Sequence, residues 1–95
     1  MIIQIIKLKS GLGKDALLEK AQERAPKFKA IPGLIQKYYV DLDNEGAYAG
    51  VYIWDSPESL QQFRSSELAA SIPAAYELAG PPDIEVGKIL FSLRE

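Results

Sequence analysis

The chain has 95 residues, enough for one domain, and a chain of this size buries only about 60 to 65% of the surface its unfolded form exposes. It is 47% hydrophobic and 25% charged, too apolar to stay disordered, and its 11 basic and 13 acidic residues leave a net charge of -2, with no surplus of cations to neutralise a nucleic acid or dock on an anionic bilayer. Cysteine and histidine are both absent, which excludes disulfides, thiolate or imidazole metal sites, a cysteine nucleophile and the commonest general base.

Ile2 to Lys9 is rich in β-branched residues and apolar on alternate faces both ways, which predicts a strand covered on both sides. The stretch Met1 to Ser10 has no basic leader and is interrupted by Gln4, Lys7 and Lys9, so neither a secretion signal nor a membrane span is expected and the cytoplasm is the expected location. Ser10 to Gly13 breaks the strand. From Lys14 the apolar positions Leu17, Ala21, Ala25 and Phe28 recur at helical spacing, with Pro26 expected to kink the helix or distort its last turn at a cost of about 3 kcal/mol in an interior turn.

Ile31, Pro32 and Gly33 form a Pro-Gly turn. Two strand-like runs follow, LIQKYYVDL and AYAGVYIW, joined by the hairpin loop Asp43 to Gly46. Asp55 and Ser56 ahead of Pro57 and Glu58 announce a capped helix. The apolar stripe of Leu60 and Phe63 loses register at Ser65 and Ser66 and resumes at Leu68 and Ile72, which predicts two short helical pieces. After Gly80, Pro81 and Pro82, the segment Ile84 to Leu93 reads as a fourth strand, with Gly87 as a candidate bulge.

This order predicts a single α+β domain over residues 1–95, a ferredoxin-like βαββαβ unit whose four-stranded antiparallel sheet carries its helices on one face. Strands apolar on both faces would then leave several hundred Å² of hydrocarbon uncovered, so a homodimer pairing two sheets face to face is expected.

Two motif fragments fail on inspection. Asp41 to Gly46 imitates the first half of a calcium loop, but the twelfth position is Tyr52, so a solvated hairpin loop is expected and no metal site. Gly11 to Lys14 resembles a phosphate cradle without its spaced first glycine or its hydroxyl residue, and reads as a strand-to-helix turn. Asp15, Glu19, Lys20 and Glu23 read as a wet helix face, and no residue carries a nucleophile signature.

What remains is aromatic. If Leu42 pairs with Ala47, then Ile35, Lys37, Tyr39 and Asp41 lie opposite Trp54, Tyr52, Gly50 and Tyr48 on one face, and Tyr38 and Val40 beside Ala47, Ala49, Val51 and Ile53 on the other. An amine, three phenols and an indole on one face either line a cavity that stacks a planar ring or fill a contact between two chains.

The turn Ile31-Pro32-Gly33-Leu34, Lys37 beyond it, and the run from Ala49 to Trp54 followed by Asp55-Ser56-Pro57-Glu58-Ser59-Leu60 resemble the YdhR-like mono-oxygenases, relatives of the antibiotic-biosynthesis mono-oxygenases in the dimeric α+β barrel superfamily. The resemblance implies oxidation of phenolic, quinol or polyketide substrates by O2 without metal or flavin, and it sets Trp54 where several members have a pocket-facing tryptophan. The asparagine and histidine that commonly accompany that tryptophan have no counterpart here, which argues against haem degradation. The expected function is a mono-oxygenase needing no cofactor that acts on a small phenolic or quinol-type aromatic. Lys37, Tyr52 and Trp54 are its expected catalytic residues, and Tyr39, Tyr48 and Phe63 its substrate-binding residues. The alternative is a non-catalytic small-molecule-binding or interaction domain on the same scaffold; isomerisation of a small lactone, known among relatives, is a third possibility.

Overall fold

The computed structural model describes residues Met1–Arg94. Its elements are β1 (Ile2–Lys9), α1 (Lys14–Lys29), β2 (Leu34–Asp41), β3 (Ala47–Trp54), α2 (Pro57–Arg64), α3 (Glu67–Ala70), α4 (Ile72–Ala75) and β4 (Asp83–Lys88). The strands form one antiparallel sheet in the order β2-β3-β1-β4, the ferredoxin-like arrangement expected from the sequence.

Alternation decides which face is covered. Ile2, Gln4 and Ile6 of β1 are buried while Ile3 and Ile5 are only half-buried. The even face packs with Leu17, Ala21 and Phe28 of α1, Leu60 and Phe63 of α2 and Ile72 of α4 into one core. Each fully buried Leu, Ile or Phe contributes about 1.5 to 3 kcal/mol. The opposite face carries Ile3, Ile5, Tyr38, Val40, Val51 and Ile53, none of them buried. No helix among the described residues is long and apolar enough to cross a membrane.

Three local expectations are corrected. The hairpin keeps the predicted register from Lys37 opposite Tyr52 to Asp41 opposite Tyr48, but a bulge between Leu34 and Gln36 puts Leu34, not Ile35, against Trp54, and Ile35 is 53% exposed. Helix α1 runs to Lys29 with Pro26 in its last turn, where the proline forfeits only the bond to the Gln22 carbonyl. The helical region after β3 has three pieces, not two: Ser66 caps α3 by accepting from Ala69 N, and Pro73 opens α4.

The third correction is at β4, which stops at Lys88. Its one partner, β1, begins at Ile2, and Ile2 already pairs with Lys88; after a last bond from Ile89 N to Met1 O there is no strand left to pair with. Leu90 and Phe91 are consequently 93% and 78% exposed. Gly87 pairs in register with Ile3 and makes no bulge.

Candidate active site

Two of the sequence motifs meet at the end of the β2-β3 hairpin. Gly33 has φ +83°, and a Cβ there would collide with the side chains of Ser59 and Asp55. Gly33 O accepts from Asp55 N at 2.9 Å, Ser56 Oγ accepts from Ser59 N at 3.2 Å to cap α2, and Ser59 Oγ donates to Asp55 Oδ1 at 2.6 Å. The Ser59 and Ser56 hydroxyls hold the exposed Asp55 carboxyl below the usual carboxylate range. The Pro-Gly turn and the Asp-Ser-Pro-Glu cap are therefore one joint that fixes where β2 starts and β3 ends. They position the aromatic ladder and supply none of its chemistry.

The ladder lies under the chain's own helices. Tyr52 and Trp54 stack with centroids 6.0 Å apart and planes 2° from parallel, and Phe63 of α2 packs on both, at 5.4 and 5.3 Å. Phe28 of α1 closes the group at 6.4 Å from Tyr52 and 6.2 Å from Phe63. Trp54 is 0% exposed, and its indole N–H donates to Oε1 of Gln4, 1% exposed, at 3.0 Å. That bond satisfies two polar groups whose burial unpaired would cost about 1 to 3 kcal/mol each.

Beside this sealed cluster is a narrow cavity of about 40 Å³. Lys37, Tyr39, Tyr48, Tyr52 and Tyr76 line it against an aliphatic wall that includes Ile6, Leu17 and Ile72. Tyr39 is the most exposed of the lining residues and marks the mouth. Gly50 is set opposite Tyr39, and a Cβ there would lie 3.0 Å from the Tyr52 ring and 3.5 Å from Cε of Lys37, so the bare backbone leaves the space that both side chains use.

Lys37 has ring faces for neighbours. Its Nζ is 3.5 Å from the centroid of Phe28, 4.3 Å from that of Tyr39 and 4.6 Å from that of Tyr52. Burial, and secondarily the Arg24 guanidinium, lower its pKa from 10.5 to about 7, while the three rings oppose the fall by favouring the ammonium. Burial raises the pKa of Tyr52, Tyr39 and Tyr76, with the neighbouring phenols adding to the rise for Tyr52 and Tyr39, so all three stay protonated donors at neutral pH.

Of the six residues expected from sequence, Lys37, Tyr39, Tyr48 and Tyr52 reach the cavity wall. Trp54 and Phe63 stand behind Tyr52, packed on one another, so a role for Trp54 in stacking directly on a ligand is not available in this conformation. Three participants were missed. Phe28 read only as an apolar position of a helix, and neither Arg24 nor Tyr76 was singled out by any motif. Nothing in the local sequence of Tyr76 signals the cavity; its place comes from the chain returning to β1, where Gly11 N donates to Glu77 O and Ala79 N to Lys9 O. Among the described residues no three acidic side chains gather as a metal cluster, the Asp41 to Glu45 loop included.

No protein-family model and no curated protein matches the chain. Solved structures do. SnoaB, a cofactor-independent oxygenase from Streptomyces nogalater, superposes with a TM-score of 0.78 at 11% identity, over 99% of this chain and 97% of that one. The chain has the fold of the antibiotic-biosynthesis mono-oxygenases. Rv0793 from Mycobacterium tuberculosis gives 0.75 at 16% identity over 97% of both chains, and a provisionally named antibiotic biosynthesis monooxygenase from Nitrosomonas europaea gives 0.76 at 12% identity over 96% and 100%. The superfamily fold expected from the sequence is thus present, and the YdhR-like branch within it is not singled out by these likenesses.

Proposed function

We propose that this chain is a mono-oxygenase that uses O2, without metal or flavin, to oxidise a small electron-rich aromatic carrying a phenol or quinol hydroxyl. The observation that supports this reading most is the near-neutral amine of Lys37 beside the phenols of Tyr39 and Tyr52 on one cavity wall, on a fold shared with an oxygenase described as cofactor-independent. The substrate supplies the electrons. Conversion of a ring C–H to C=O in a phenol places one oxygen atom in the product and releases the other as water, so the protein need only bind the ring, exclude solvent and help remove a proton. Lys37 takes that proton or steadies the phenolate, Tyr52 donates to the substrate oxygen, Tyr39 stacks at the mouth, Tyr48 forms part of the wall, and Trp54 and Phe63 hold Tyr52 in place.

A cavity of about 40 Å³ has room for a few waters and is far short of the roughly 150 Å³ that accepts benzene. The ring must therefore rest at the mouth, with Tyr39 displaced, while a single polar head enters. We further propose that the working unit is a homodimer paired through the outer sheet face, in the cytoplasm, with no nucleic-acid partner; the half-buried aliphatics of that face and the net charge of -2 support this. Oxygen uptake with a panel of quinols tests the reaction. Wild type should consume O2, and Lys37→Met and Tyr52→Phe should each lower the rate by about 10²-fold or more; no uptake with any quinol would contradict it. The absence of histidine, the commonest general base, favours the second reading, a non-catalytic binding domain, and ligand-dependent thermal stabilisation with no oxygen uptake would be its signature.

A further inference from the structure

The end of the cavity away from Trp54 has polar atoms in excess of their partners. Tyr76 is 94% buried, since only 6% of it is exposed, it lines the cavity, and its hydroxyl has no hydrogen-bond partner within 3.5 Å, although the Arg24 guanidinium is near enough to counter part of the rise in its pKa that burial causes. Behind it, Arg24 lies over the rings of Phe28 and Tyr76 at 5.7 and 5.6 Å and gives one bond to Ser71 Oγ, while its Nε is buried and unpartnered. Among the described residues the ion pairs are Lys14 with Asp41 and Lys20 with Glu23, both at the surface, so neither Arg24 nor Lys37 has a carboxylate. A chain with 13 acids has set Lys37 and Tyr76 on the wall of one small void, with Arg24 behind Tyr76, and left them without an anion.

We propose that Tyr76 Oη and Lys37 Nζ form a seat for the oxyanion of a small organic ligand, a phenolate, enolate or carboxylate oxygen, with Arg24 as a positioning residue that supplies positive charge through Tyr76. Three observations carry it. An unpaired buried hydroxyl costs about 1 to 3 kcal/mol, and such groups in native proteins call for an explanation that a ligand oxygen would provide. An anion relieves the mutual repulsion of Lys37 and Arg24, which a neutral ligand does not. The cavity of about 40 Å³ admits a small polar head and is too small to enclose a ring.

Tyr76 is also held in place at a cost. The residue after it, Glu77, sits at φ +49°, a region unfavourable to side chains, and the segment is pinned by the bond from Ser10 Oγ to Tyr76 O. This inference rests on the mono-oxygenase reading only for the choice of cavity, and it specifies the charge of the group that enters.

The test is a binding titration at fixed neutral pH with 4-nitrophenol, whose phenolate is yellow, against 4-nitrobenzoate and the uncharged 4-nitroanisole. Wild type should deepen the yellow phenolate band on binding and should hold one or both anions about tenfold or more tighter than the anisole. Preference for nitrophenolate over nitrobenzoate assigns the seat to phenolic oxygens, and the reverse assigns it to carboxylates. Tyr76→Phe keeps the ring and removes an idle hydroxyl, so its melting temperature should match or exceed that of wild type while anion preference falls about tenfold. Arg24→Gln should lose the band shift and Arg24→Lys should recover part of it, a response that loss of packing alone would not give. Equal affinity for the anisole and both anions, or a band unchanged by the protein, overturns the proposal. Binding with these properties stands whether or not any quinol is turned over.

Discussion

The two ends of the covered sheet face differ in one respect that organises the molecule. At the Trp54 end, the polar atoms that reach the core are matched: the indole N–H meets Gln4, and the surrounding surface is Phe63, Phe28 and the flat of Tyr52. Toward Tyr76 the polar atoms outnumber their partners, and Lys37, set opposite Tyr52, has only ring faces and a second cation near it. Trp54 and Tyr76 are both buried. Satisfaction of their polar atoms is what separates the part of the face that holds the fold together from the part positioned to meet a ligand.

The largest expected effect is at the sealed end. Trp54→Ala should cost about 3 to 5 kcal/mol, read as a lower urea midpoint, whereas Tyr39→Ala at the cavity mouth should cost under about 1 kcal/mol; equal losses would erase the distinction. Gln4→Met conserves volume and strands the indole N–H, for an expected loss of about 1 to 3 kcal/mol by the same measurement.

At the open end, pH is the sharper probe. Lys37 is lowered to about 7 in the folded chain from 10.5, so between these values the unfolded chain binds more protons and stability rises with pH. Above about 10 the raised pKa values of Tyr52, Tyr39 and Tyr76 act the other way, because the unfolded phenols ionise first and stability falls. Chemical denaturation across this range should trace a maximum near pH 10, and Lys37→Met should flatten its rising limb. The smallest effect is at the segment that holds Tyr76: Glu77→Gly relieves a positive φ and should stabilise by roughly 0.5 to 1 kcal/mol in thermal unfolding.

How much of this was legible in the sequence depends on the range of the interaction. The hairpin register from Lys37 to Asp41 follows from a four-residue loop and a period of two, both local, and it brought Lys37, Tyr39, Tyr48 and Tyr52 together correctly. The bulge at Ile35 was not legible, because it arises where the strand enters from the Gly33 joint, and that joint depends on Asp55 and Ser59 more than twenty positions along the chain. The early end of β4 follows from where β1 begins, which the apolar run from Ile89 to Leu93 does not reveal. Trp54 was expected at a pocket wall because an indole on an aromatic face suits one. The partner that closes it off, Gln4, looked like an ordinary polar interruption in a hydrophobic strand. Tyr76 and Arg24 become neighbours only through the packing of α1 against the segment following α4.

The contrast between the ends is tested most directly by amide and indole chemical-shift mapping while 4-nitrophenolate is added. The chain has a single tryptophan, so its indole N–H gives one unambiguous signal for the sealed end. Shifts that cluster on Lys37, Tyr39, Tyr52 and Tyr76 while that indole signal stays in place are the predicted result. Shifts that centre on the Trp54 indole and Gln4, with the Tyr76 segment unmoved, would contradict it.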